Sequence, residues 1–171
     1  MKIDFTKIEW DCIADEELQF YYKEAVDANE AVLKGIDNTN NKVFQFLAIS
    51  SGILAVLTGL CLSVWGEKGK DAIANTLFGS CIGFVVIIVI LLIAVWPRKT
   101  FPGRALPEYL FSSDAYKKKM RNHYADGIAS YHKYILLNYK VQELRNNLLV
   151  AGILWFMLVP VIVFILRFFV F

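Results

Sequence analysis

Charge is absent where it would be most expensive. The chain of 171 residues carries 18 Lys and Arg and 16 Asp and Glu, yet three long stretches hold none of them. These are Val43 to Trp65 (23 residues), Ala72 to Trp96 (25) and Leu148 to Leu166 (19). No His lies in them either, and intramembrane ionisable groups are what mark proton relays and ion pathways. Their absence argues against a pump, a transporter or a protonmotive subunit. Cysteine is scarce as well: Cys12, Cys61 and Cys81 are odd in number and lack ligand spacing, which excludes a disulfide framework and a paired-Cys zinc site. Cys61 and Cys81 read as small apolar filler. The two histidines, His123 and His132, are nine residues apart on one expected helix, so their rings point to opposite faces. No Gly-rich phosphate loop, nucleophile elbow or metal motif occurs. The chain is therefore expected not to be an enzyme and to need no cofactor or metal.

What is present is length of apolar sequence. A hydrocarbon core roughly 30 Å thick takes about 20 apolar residues in helix. Each uncharged stretch exceeds that length or falls within one residue of it, so the fold class expected is all-α, an integral membrane protein with three transmembrane helices. The first 42 residues are polar and do not read as a cleaved signal peptide, so the first span is expected to act as an uncleaved signal anchor. Lys and Arg then set orientation. A hairpin places residues 1–42 and 97–147 on one side with fifteen bases, against three on the other (Lys68, Lys70 and Arg167). The N-terminus and the middle region should be cytoplasmic, in a cell inner (plasma) membrane. Trp65 and Trp96 sit at span ends, where indole favours the interface, and Arg167 should snorkel outward.

The small net charge of +2 hides an asymmetry. Residues 1–42 carry ten acids and five bases, and residues 97–147 carry ten bases and four acids. Two such segments on one side should attract each other, while the basic one also meets anionic lipid. Both read as helices that together form a cytoplasmic bundle. Thr6 and Glu9 have capping-box spacing, with Phe5 and Trp10 as a hydrophobic staple. Asp15, Glu16 and Glu17 suit the first turn of a longer helix. Its apolar stripe is Leu18, Tyr22, Ala25, Ala28, Val32 and Ile36. The second helix, capped by Ser113 or Asp114, has the stripe Tyr116, Met120, Tyr124, Ile128, Tyr131 and Ile135, a gap, then Val141 and Leu144. Asn38-Thr39-Asn40-Asn41 and Asn146-Asn147 are either hinges or polar residues inside unbroken helices, and weak propensity favours the second.

Prolines and glycine in Pro97-Arg98-Lys99-Thr100-Phe101-Pro102-Gly103 turn the chain after the second span, and Ala105 to Phe111 is expected to lie along the membrane surface. Small residues recur at every fourth position of the first span: Ser51, Ala55, Gly59 and Ser63. The second span offers Gly79 and Gly83. Such faces let helices approach closely, either within the hairpin, the economical expectation, or between subunits. Pro160 is expected to kink the third span.

The candidate ligand-binding residues are Lys117, Lys118, Lys119 and Arg121, followed by His123, Tyr124, His132 and Lys133. Bases beside aromatics hold phosphate and stack a base; a plain solvated or lipid-facing basic helix has the same composition.

The order of polar helix, two-span hairpin, Pro-containing link, long basic helix and third span resembles the small membrane effectors of bacterial anti-phage signalling, especially the Pycsar effector family. The SLATT effectors of nucleotide-signalling operons are similar in outline. The matching segments are Asn40-Asn41-Lys42-Val43 before the first span, and Ala125-Asp126-Gly127-Ile128 through Asn138 to Arg145 before the third. The Pycsar family tends to show Asp-x-Lys-Ala at the first segment; Asn40 and Val43 depart from it. The resemblance implies antiviral defence by abortive infection: a cytoplasmic trigger (a cyclic nucleotide or a signalling-protein partner), nucleotide binding, a homo-oligomer, and loss of inner-membrane integrity. It places no ligand residue.

The expected organisation is residues 1–42 as a cytoplasmic acidic segment, 43–96 as a span hairpin, 97–147 as a cytoplasmic basic segment and 148–171 as the third span. The expected partners are the lipid bilayer and further copies of the chain, and not a nucleic acid polymer. A scaffolding subunit that holds a soluble partner, or a small constitutive channel, are the alternative functions.

Overall fold

The computed structural model describes residues 8–67, 71–103 and 120–169. Thr6, Phe5, Ala105 to Phe111, Ser113, Asp114 and Tyr116 lie outside them, and with them the capping box, the staple, the surface segment and the start of the basic helix. All regular structure among the described residues is helical. A short 3₁₀ turn, Trp10–Cys12, precedes α1 (Asp15–Val64), α2 (Asp71–Val95) and α3 (Met120–Phe169). Asp15, Glu16 and Glu17 fill the first turn of α1, where carboxylates meet the positive end of the helix dipole. Gly66, at φ +81°, follows the last turn of α1, a backbone conformation that glycine adopts without a Cβ penalty.

Three helices are long and apolar enough to cross a membrane. α1 and α3 are each 50 residues long, about 75 Å at 1.5 Å per residue, far more than one span needs. Neither is interrupted. α1 passes through Asn38 to Asn41 and α3 passes through Asn146, Asn147 and Pro160 without leaving the helix. The asparagines are therefore not breaks: helix propensity differences of a few tenths of a kcal/mol per residue are small beside tertiary contacts.

The chain divides into two units: Met1–Ile36 with Arg98–Gln142, and Asp37–Pro97 with Glu143–Phe171. We call them the polar and the apolar unit. In the apolar unit, α1, α2 and α3 pack around Val43, Phe84, Ile87, Leu91, Ala94 and Val159. Phe156 meets Phe46 and Phe84 at ring distances of 5.2 and 5.5 Å. A Cβ on Gly83 would stand 2.8 Å from Val159, and the indole N–H of Trp155 donates to the Gly83 carbonyl at 3.3 Å. Close approach at a glycine is how helices associate where lipid removes the hydrophobic drive. Large side chains such as Leu62, Trp65, Trp96, Met157 and Phe164 remain exposed, an arrangement suited to an apolar solvent.

The hairpin contact does not use the small-residue stripe. Ser51, Ala55, Gly59 and Ser63 are all exposed, and nothing lies within 4 Å of a Cβ placed on Gly59 or Gly79. α1 instead meets α2 through Thr58 and Cys61, and Trp65, just past its end, adds a third contact. The Thr58 hydroxyl and Cys81 thiol are 3.8 Å apart, the Cys61 thiol donates to the Ala74 carbonyl at 3.8 Å, and the Trp65 ring meets Phe78 at 6.2 Å. Fourfold spacing drifts by about 40° per step on a helix of 3.6 residues per turn, so such a stripe rotates away from a neighbouring axis.

Within the same unit, a polar layer joins α1 to α3. The Thr39 hydroxyl donates to Asn146 Oδ1 at 2.9 Å, and Arg145 Nη1 donates to Asn40 Oδ1 at 2.7 Å. Arg145 is buried while its neighbour Leu144 is exposed, the reverse of what an apolar stripe through Leu144 predicts.

Candidate functional site

In the polar unit, α1 and α3 are held together by amides and aromatic rings. Asn29 and Asn138 are both fully buried. Asn138 Nδ2 donates to Asn29 Oδ1 and to the Phe101 carbonyl, each at 2.9 Å, and Asn138 Oδ1 accepts from the Phe101 backbone N–H at 3.0 Å. Asn29 Nδ2 donates to the carbonyls of Phe101 and Pro102 at 3.2 and 3.3 Å. Every amide N–H and both amide oxygens of the pair are used. The link after α2 has no helix or strand to satisfy its backbone, so two side chains do so, as buried peptide groups require. Fully satisfied buried networks specify one arrangement.

Rings close around this clasp. Phe101 stacks on Tyr134 at 5.5 Å with an interplanar angle of 6°, and Lys99 Nζ lies 5.2 Å from the Phe101 ring centre. Tyr22 of α1 meets Tyr124 and Tyr131 of α3 at 5.4 and 5.7 Å. Glycine makes room for them. A Cβ on Gly127 would stand 2.5 Å from the Tyr22 ring, and Gly103, at φ +79°, lies directly against Tyr131. The second position combines a close approach with a left-handed backbone, so it needs glycine twice over.

Neither asparagine belongs to the apolar stripes. Asn29 takes the inward place assigned to Ala28, which is exposed, and Asn138 fills the gap after Ile135. The signal was the gap itself: Tyr131, Ile135, Asn138, Gln142 and Arg145 keep three- and four-residue steps once polar residues are admitted.

Four of the candidate ligand residues, His123, Tyr124, His132 and Lys133, have described side chains, and these four do not share one face of α3. Lys117, Lys118 and Lys119 lie outside the described residues, as does the side chain of Arg121. His123 and His132 are half-buried and Lys133 is exposed. Tyr124 faces α1, while Lys133, nine residues on, faces away from it, since nine residues are two and a half turns. The α1–α3 contacts described above are made by aromatic and amide groups. Glu16, Glu17, Glu24, Asp27, Lys133 and Lys140 all point to the exposed surface. Among the described residues no cluster of His, Cys, Asp or Glu is placed to hold a metal ion. No family model, curated protein or solved structure matches the chain.

Proposed function

We propose that this protein is a multi-pass inner-membrane effector of an anti-phage defence system. In this reading its cytoplasmic helix pair receives a nucleotide or a partner signal, the chain oligomerises, and the membrane loses integrity. The observation that carries it is that α1 and α3, clasped by Asn29 and Asn138, are the same helices that supply two of the three apolar segments. A change in the clasp is passed along two uninterrupted helices rather than through flexible links, and bistable packed elements are what turn a local event into a large one. The lack of charge in the apolar segments suits an assembly that disturbs the bilayer rather than a selective ion path.

The test is inducible expression in bacteria with a potential-sensitive dye and a membrane-impermeant DNA stain. Depolarisation and dye entry on triggering with infection or a cyclic nucleotide are the expected result. A flat response under every trigger would count decisively against the effector reading. A second reading, a scaffold for a soluble partner, is favoured by the exposed Phe20 and Tyr139 of the polar unit. It predicts no change in membrane potential.

A further inference from the structure

The polar unit leaves two unlike helix faces open, and their chemistry is complementary. On α1, Phe20 is 58% exposed, with Glu16 and Glu24 one turn to either side and Asp27 seven residues on, all exposed. On α3, Leu136 and Tyr139 are 47% and 58% exposed, and the exposed Lys133 and Lys140 flank Leu136 at three and four residues. One face is an aromatic ring set mainly among carboxylates, with Lys23 at its edge, and the other is a Leu–Tyr patch set between two ammonium groups, with Glu143 one turn beyond Tyr139.

These faces cannot meet within one chain. Phe20 is nine residues from Asn29, and Lys140 is nine residues from Tyr131. Nine residues turn a helix by two and a half revolutions, so each open face lies on the far side of its helix from the α1–α3 contact. Opposite charges that point away from each other in one copy are placed to pair between copies.

We propose that a second copy of this chain docks its α1 face (Phe20, Glu24, Asp27) on the α3 face (Lys133, Leu136, Lys140). Because the two faces differ, the contact is head-to-tail and repeats, closing a ring or extending a row. The apolar residues supply the buried centre and the charges set register and exclude mispairing. The inference supplies a contact for the assembly proposed above and rests on that reading only for its consequence at the membrane.

The experiment uses the full chain in detergent, as two differently tagged copies, read by co-purification and by carbodiimide cross-linking of carboxylates to lysines. The wild type is expected to co-purify and to cross-link between copies. Glu24→Lys with Asp27→Lys, and separately Lys133→Glu with Lys140→Glu, should each weaken self-association roughly tenfold or more, since like charges then face each other. Mixing the two variants restores both contacts, so co-purification should return. A chain carrying all four changes should self-associate as the wild type does, which shows that the variants fold. A monomeric wild type, unchanged association in either variant, or a Lys133→Glu/Lys140→Glu defect that persists in the mixture would overturn the proposal; the last assigns the α3 face to lipid headgroups. Recovery in the mixture without any dye entry in cells would leave this contact standing and remove the effector reading instead.

Discussion

Asn138 treats the backbone of Phe101 as a β-strand would treat a neighbour: it accepts from the Phe101 N–H at 3.0 Å and donates to the Phe101 carbonyl at 2.9 Å. Its remaining amide proton goes to Asn29. One side chain thereby satisfies a loop and joins two helices.

We predict that Asn138→Leu lowers stability by roughly 2–5 kcal/mol, because a buried backbone donor and the Asn29 oxygen both lose their partner. Asn138→Asp keeps size and the acceptor but sets oxygen against two oxygens, so it should cost at least as much. Thermal unfolding of the purified protein in detergent, followed by circular dichroism, measures both. A loss below about 0.5 kcal/mol, the level of a neutral surface change, would mean that the clasp does not hold the unit together.

Gly127→Ala is expected to cost about 1–3 kcal/mol through overpacking, since its Cβ would meet the Tyr22 ring at 2.5 Å. In Tyr22→Ala the ring is gone and the same change should become nearly neutral. A double-mutant cycle reads the coupling; strict additivity would show that the glycine is not there for the ring.

The buried hydroxyl of Ser50 has no hydrogen-bond partner among the described residues. Ser50→Ala should therefore leave stability unchanged or raise it by up to about 1 kcal/mol, as removing an unsatisfied polar group does. A clear loss on the same thermal assay would reveal a partner for the hydroxyl.

Gly59 and Gly83 make a matched pair. Gly83→Leu should destabilise the chain by roughly 1–3 kcal/mol through collision with Val159. Gly59→Leu meets open space and should change the stability of a single copy by no more than about 0.5 kcal/mol. Unfolding in dilute detergent, where copies are separate, distinguishes the two.

Asn40→Asp would put a carboxylate on the buried Arg145 guanidinium, which Asn40 now meets at 2.7 Å. An adjacent cation holds a carboxyl below its ordinary pKa. The folded state then binds fewer protons than the unfolded one, so the gain is present at neutral pH and is lost as pH falls through the depressed value. Unfolding at pH 7 and pH 4 should show this variant above wild type at the first and closer to it at the second.

Legibility in the sequence followed the type of signal. Val43 to Trp65, Ala72 to Trp96 and Leu148 to Leu166 stand out because apolar length is a local property, and the acidic first turn of α1 is local too. The inward places of Asn29, Asn138 and Arg145 were not legible, because a search for apolar periodicity passes over a polar residue at a core position. The destination of the small-residue stripe was not legible either: spacing says that a close approach is available, not which helix takes it.

By itself, then, the sequence determined three helices of spanning length, free of charge, and a strong charge asymmetry between the two polar segments. Those follow from composition and period, which each residue carries with it. Only the tertiary structure decided that the asparagines near residues 38–41 and 146–147 continue their helices, that two buried carboxamides join α1 to α3, and that Gly83 and not Gly59 meets a neighbouring helix. Each of those depends on which groups far apart in the chain reach one another, and hydrogen bonds and steric contacts act only at contact distance.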